Sequence, residues 1–358
     1  MKRYQMLAGV VTCVASLLLM SCATHSKSDK KAEAKPEAAA PKPEAAPPAV
    51  DKELVAATLV PKGTPSAEAM GWHVGCQAYS FNKFSFYEAI DKVKALGLHY
   101  IEAYPGQKLS LEKPDAKFDH NMDPALYPEV LARLKAANVK LVNYGVVGLP
   151  DEAEARKVFE FAKKMGIETV VAEPPQETFA LLDKLTEEYG INVALHNHPK
   201  PSRYWNPDAV LAACKGHSKR IGSCADTGHW MRSGVDPLAA VKKLEGRIIS
   251  FHFKDLGEFR VKEAHDVPWS TGLGKTRAIL TELQRQGFKG VFSAEYEHNW
   301  ENSVPDLALS VANFEAIASS LTELKDKPAP APEAAKTGKA KAPKKAEKQP
   351  AKASAEKK

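Results

Sequence analysis

The chain has 358 residues, 44% of them hydrophobic, and a formal charge of +6, which allows one large domain or two ordinary ones once biased ends are set aside. Between Lys325 and Lys358 eleven lysines face four acids, so this stretch carries +7 and the remainder about −1. The basic balance therefore sits in a solvated tail, and this excludes the folded basic face that nucleic-acid binding requires.

At the N-terminus Lys2 and Arg3 precede an apolar run from about Met6 to Met20 that closes on Leu19-Met20-Ser21-Cys22. The run is short for a membrane span of about 20 residues and resembles the lipobox of bacterial lipoproteins. Residues 1–21 are thus expected to be a signal peptide and Cys22 the lipidated residue. The protein is expected to be exported and held at the cell envelope through this lipid anchor; an ordinary secretory peptide is the alternative. Residues 22–70 form an Ala/Pro/Lys/Glu-rich tether and lead-in, and residues 323–358 a tail of similar composition, both too poor in core-forming residues to fold alone. Of the remaining cysteines, Cys76, Cys214 and Cys224 are an odd, widely spaced trio that makes no disulfide framework. Cys76 and Cys224 are expected to be small buried hydrophobes.

Over residues 71–322, β-rich runs alternate with helical periods. Strands are predicted at Val74–Tyr79, Tyr100–Tyr104, Lys140–Val146, Thr169–Glu173, Asn192–Asn197, Arg220–Asp226, Ile248–Lys254 and Val291–Tyr296. Helices are predicted to begin after Phe84, Asp123, Pro150, Pro175, Asn206, Val235, Gly274 and Ser303. Eight strand–helix units in about 250 residues predict an α/β fold, a (β/α)8 TIM barrel. An open doubly wound sheet would want a Gly-rich turn after the first strand, which Val74–Ser80 lacks. Gly97, Gly166 and Gly287, each between a helix and the next strand, suit left-handed caps.

Glu173, Asp226, His252 and Glu295 stand where the fourth, sixth, seventh and eighth strands run out. In a barrel all four would face the C-terminal mouth. A single strand-end carboxylate serves equally well as a helix cap, but three carboxylates and an imidazole crowded there need a cation to neutralise them. They predict one divalent metal ion, with Mn2+ or Mg2+ favoured and Zn2+ or Co2+ tolerated. The aromatics Tyr79, Phe81, Tyr104, Tyr144, Trp230, Trp269 and Tyr296 also gather at strand ends, where they either stack on sugar rings or pack the core. Gly272-Leu273-Gly274 is a weak phosphate-binding signal.

On these residues the chain resembles the xylose isomerase-like TIM barrel superfamily, in particular its sugar isomerase and epimerase branch. The resemblance implies that Glu173, Asp226, His252 and Glu295 hold the metal and that Glu173 and Glu295 carry protons. It further implies that His229 in Asp226-Thr227-Gly228-His229 and Lys254 in His252-Phe253-Lys254-Asp255 bind substrate oxygens. His196 in Leu195-His196-Asn197-His198-Pro199 is either a substrate contact or the orienter of a carboxylate ligand, and His198 is expected at the rim. Trp230 and Arg260 complete the expected substrate-binding set, although Arg260 is offset from the arginine spacing of the epimerase branch. The added histidines that related DNA-repair endonucleases place on strands two and three are missing.

The expected activity is metal-dependent isomerisation or epimerisation of an unphosphorylated sugar or keto-sugar, by α-proton abstraction and a metal-stabilised enediolate. The alternatives are a 3-keto-glycoside lyase or hydratase using the same site, and a non-catalytic carbohydrate-binding envelope protein. The expected partner is a small sugar, and the oligomeric state stays open.

Overall fold

The computed structural model describes residues 63–325; the expected signal peptide, Cys22 and nearly all of the Lys-rich tail lie outside them. The strands are β1 (Trp72–Gln77), β2 (Tyr100–Ala103), β3 (Lys140–Val147), β4 (Thr169–Ala172), β5 (Asn192–His196), β6 (Ile221–Asp226), β7 (Ile248–Phe253) and β8 (Gly290–Ala294). All pair in parallel and close into a barrel in the order β1-β8-β7-β6-β5-β4-β3-β2. The TIM barrel expected from the sequence is therefore the observed fold.

The helices are α1 (Pro65–Ala69), α2 (Phe86–Ala95), α3 (Tyr127–Ala137), α4 (Glu152–Met165), α5 (Phe179–Tyr189), α6 (Pro207–Ala213), α7 (Thr227–Arg232), α8 (Pro237–Lys243), α9 (Thr276–Arg285) and α10 (Val304–Lys325). None of the described helices is long and apolar enough to cross a membrane. Local chemistry sets their starts. Ser85 and Glu88 form a reciprocal capping box on α2, whose Phe86, Ala89, Ile90 and Val93 recur at helical spacing and are buried. Asp151 caps α4 by accepting from Glu154 N. Gly97, Gly166 and Gly287 have φ of 71°, 75° and 66°, the left-handed values their places after α2, α4 and α9 call for.

Two helices were not expected. α1 folds within the stretch read as lead-in because Glu315 of α10 accepts from Ser66 N (2.8 Å) and Ala67 N (3.2 Å), supplying its first turn with acceptors. α7 begins directly on Asp226, whose carboxylate caps it by accepting from His229 N at 2.6 Å. That cap is the local reason for the spacing of Asp226 and His229.

Inside the barrel, Val171, Ala194 and Cys224 from β4, β5 and β6 form a small apolar cluster. Cys76, Cys214 and Cys224 are free and buried, and burial pushes the Cys76 thiol up to about 12, so Cys76 and Cys224 behave as the expected hydrophobes. Nearer the C-terminal mouth the register aligns Gln77 with Glu102 and Glu102 with Asn143, and on the other side Asp226 with His252 and His252 with Ser293. The strand ends thus present a polar layer above an apolar one. Outside, Phe314 of α10 packs on Trp72, Trp269 and Phe292 with ring centroids 5.9, 5.5 and 5.0 Å apart. After β7 the chain folds back on itself, and Asp255 accepts from Ser270 N, Gly272 N and Gly274 N at 2.9, 3.1 and 2.7 Å. The amides of Gly272 and Gly274 are therefore spent on Asp255, and that of Leu273 on Leu256 O, rather than offered to a phosphate. A Cβ at Gly272 would lie 2.4 Å from Leu256 O and 2.5 Å from Asp255 Oδ1, which explains the glycine.

Candidate active site

Donor atoms of His196, Asp226, His252 and Glu295, from β5, β6, β7 and the end of β8, all lie within 4.8 Å of one another. Three of them are ligands expected from the sequence. The fourth expected ligand, Glu173, falls outside this set and groups instead with His196 and His198. Its Oε1 lies 3.2 Å from His196 Nδ1 and is also bonded to His198 Nδ1.

Each imidazole of the set has its far nitrogen held by a carboxylate. His252 Nε2 is 2.7 Å from Glu102 Oε1, just as His196 Nδ1 faces Glu173. The nitrogens that remain turn inward on the carboxylates of the set, His252 Nδ1 3.0 Å from Glu295 Oε2 and His196 Nε2 3.5 Å from Asp226 Oδ2, and neither they nor Asp226 Oδ2 make a hydrogen bond of good geometry. Buried lone pairs left without hydrogen bonds are costly, and the pattern of carboxylate, histidine and open inner nitrogen is the one that fixes imidazoles for a metal. The residues present fit a divalent cation.

Permanent positive charge stands beside these donors. Lys254 Nζ lies 2.9 Å from Asp226 Oδ2, 2.8 Å from Glu295 Oε2 and 2.9 Å from Glu297 Oε2. Burial works against the ammonium, but Asp226, Glu295 and Glu297 outweigh it and hold its pKa well above the usual range. Burial likewise pushes up the carboxyls of Asp226 and Glu295. His229 and Lys254 bring the first well below its usual value, and Lys254 and His252 do so for the second. Burial is the leading cause that lowers His229 well below the usual imidazole value. Its Nδ1 lies 3.0 Å from Arg232 Nη1, and because a guanidinium only donates, Nδ1 accepts and Nε2 carries the hydrogen. Glu173 is pushed up by burial, yet its bonds to His196 and His198 bring it down to about 2.

His196, His229 and Glu295 open on a cavity of about 300 Å³ lined also by Gln77, Tyr79, Tyr104, Pro105, Gly145, Val146, His198 and Glu297. Of the expected substrate-binding residues, His196 and His229 line it. Lys254 is buried behind Glu295 and Glu297, with which it pairs. Trp230 is fully buried in the hydrophobic core and does not line the cavity, because the residue following His229 on α7 turns away from the mouth. Arg260 is exposed, its guanidinium 5.5 Å from the Phe259 ring, and it too stays away from the cavity. Arg232, one helical turn after His229, holds the mouth instead, pairing with Glu297 at 3.0 Å and Asp266 at 3.3 Å. Among the strand-end aromatics only Tyr79 and Tyr104 line the cavity; Phe81, Tyr144, Trp269 and Tyr296 belong to the core.

Glu102 is the residue that sequence reasoning missed. It is fully buried and accepts from Gln77 Nε2, Asn143 Nδ2 and Ser293 Oγ at 3.1, 3.1 and 2.6 Å, besides meeting His252. Its signal was a lone carboxylate inside the apolar run Tyr100-Ile101-Glu102-Ala103.

A match to the family described as xylose isomerase-like TIM barrel extends over residues 90–317. The chain belongs to this family. An uncharacterised protein from Parabacteroides distasonis ATCC 8503 is 32% identical, covering 68% of this chain and 98% of that one with a TM-score of 0.57. Two family-like barrels at lower identity share the fold. One is a D-tagatose 3-epimerase-like protein, 18% identical over 71% of this chain and 99% of that one, with a TM-score of 0.55. The other, from Mycobacterium smegmatis, was crystallised in complex with magnesium and is 16% identical over 71% and 98%, with a TM-score of 0.56. Among curated proteins none matches.

Proposed function

We propose that this chain is a divalent-metal-dependent isomerase or epimerase acting on an unphosphorylated sugar or keto-sugar. The observation that carries the proposal is the convergence of His196, Asp226, His252 and Glu295 beside the cavity, with the far nitrogens of both histidines held by Glu173 and Glu102. The magnesium complex of the Mycobacterium smegmatis barrel and the epimerase-like neighbour support it. Two imidazoles and two carboxylates suit Mn2+ and Zn2+ and accept Mg2+ or Co2+.

A bound cation would supply Lewis-acid polarisation of a carbonyl and its neighbouring hydroxyl. Glu295 lines the cavity as a carboxylate and takes the α-proton. His229 Nε2–H donates to a substrate oxygen where charge develops. The second proton carrier is the Glu173–His198 pair. Glu173 does not line the cavity, but His198 does, and although burial lowers its pKa, the bond to Glu173 raises it above the ordinary value. Lys254 and Arg232 are already matched to carboxylates, which favours an uncharged substrate over a phosphorylated one. Export and the lipid at Cys22 remain part of the same proposal and place the reaction in the cell envelope.

Metal analysis of the purified protein and incubation with ketoses and keto-sugars in D2O test the reading. A bound divalent ion that His252→Ala releases, together with deuterium at the carbon beside the carbonyl of recovered sugar, is the expected outcome. A folded protein that takes up no divalent metal, or one that exchanges no proton in any of these sugars, would sink it.

A further inference from the structure

Three aromatic rings stand at the opening of the cavity. Tyr79 follows β1, Tyr104 follows β2, and Trp300 lies in the segment after β8. Tyr79 meets Tyr104 edge-on at 5.1 Å and 86°, and Trp300 edge-on at 5.6 Å and 81°. Tyr79 is 38% exposed, and of the five exposed large hydrophobics among the described residues it alone lines the cavity. The other strand-end aromatics are packed in the core, so the exposure here is local to the mouth.

An exposed ring already held by two neighbours loses little freedom when a ligand arrives. Its apolar face suits the C–H face of a pyranose or the face of an aryl group. The cavity, about 300 Å³, is at the small end of ligand sites, so a substituent on a sugar seated inside it must emerge at the mouth. We propose that Tyr79, Tyr104 and Trp300 form an outer subsite for the aglycone of a glycoside whose first sugar ring occupies the cavity. This rests on the sugar-binding reading above and narrows its substrate class to glycosides whose keto group lies on the sugar ring, because the aglycone occupies the anomeric carbon and the carbonyl of the proposed reaction must lie elsewhere.

The test is calorimetric binding by the full-length, Mn2+-loaded protein of D-glucose, D-galactose and D-xylose, each against its phenyl β-glycoside. For at least one pair the glycoside binds about tenfold tighter, the scale expected of a good aromatic contact. Trp300→Ala, at a residue outside the cavity lining, removes that advantage and leaves the free sugar within about twofold of wild type. Trp300→Phe, which keeps a ring, restores most of it. Equal binding of sugar and glycoside by the wild type, or equal loss of both in Trp300→Ala, overturns the subsite while the sugar reading stands. Binding of neither member of any pair overturns both.

Discussion

On the β6–β8 side of the mouth, Lys254 and Arg232 sit among Asp226, Glu295, Glu297 and Asp266, and Lys254, Asp226 and His252 are almost wholly buried. On the β4–β5 side, Glu173 is half-buried, and its partners are the imidazoles of His196 and His198 rather than permanent cations. The first wall is held by permanent cations, although burial pushes its Asp266 up to about 7, whereas the second has none and relies on His198, which Glu173 raises above the ordinary imidazole value. A site that must hold a cation and also move a proton uses both kinds of wall.

Three measurements sharpen or break this contrast. The largest effect is expected from Lys254→Met, which leaves buried carboxylates uncompensated. Denaturant unfolding should show a loss of about 3–5 kcal/mol, and a loss below about 1 kcal/mol would mean that the β6–β8 wall does not depend on its fixed charge. Next comes Glu102→Gln, which weakens the hold on His252 Nε2. Calorimetric metal titration should show affinity reduced by about 10–100-fold, and unchanged affinity would show that His252 needs no such partner. The smallest effect belongs to the other wall. His198 should titrate above 6.5 in the wild type, and in Glu173→Gln, where only the weaker pulls of Asp226 and Glu295 still oppose burial, its pKa should fall, as followed by NMR.

The sign of the accompanying stability change follows from the two shifts. Glu173, brought from 4.5 to about 2, contributes fully above pH 4.5, and the contribution fades as pH falls towards 2. His198, raised above 6.5, contributes fully below pH 6.5 and loses its contribution as pH rises through the raised value. The pair therefore adds most between about pH 4.5 and 6.5, and because His198 is exposed its worth is roughly 1 kcal/mol after solvent screening. A difference between wild type and Glu173→Gln that stays flat across this window would show that the second wall is not proton-dependent.

The barrel was legible in the sequence because each strand is a β-branched run bounded by a helix period, and parallel strands leave few other solutions. Asp226, His252 and Glu295 were legible for the same reason, since closing the barrel gathers the strand ends around one mouth. Side-chain partnership was not. Whether Glu173 points to the cation set or to two imidazoles depends on rotamers and on His198 arriving from the next strand, and sequence spacing carries neither. Arg232 outranks Arg260 at the mouth because α7, an unforeseen helix started by Asp226 itself, fixes its direction. Glu102 was not legible because a lone carboxylate in an apolar run has no spacing that gives away its role, which is to receive four donors in the barrel interior.

The clasp between Glu315 and the first turn of α1 joins the beginning and the end of the described fold on the face where the barrel strands start. The cavity opens on the opposite face, where they finish. A resin, sensor chip or fused domain attached at either of those ends would therefore present the mouth outward, with substrate access unshaded by the support.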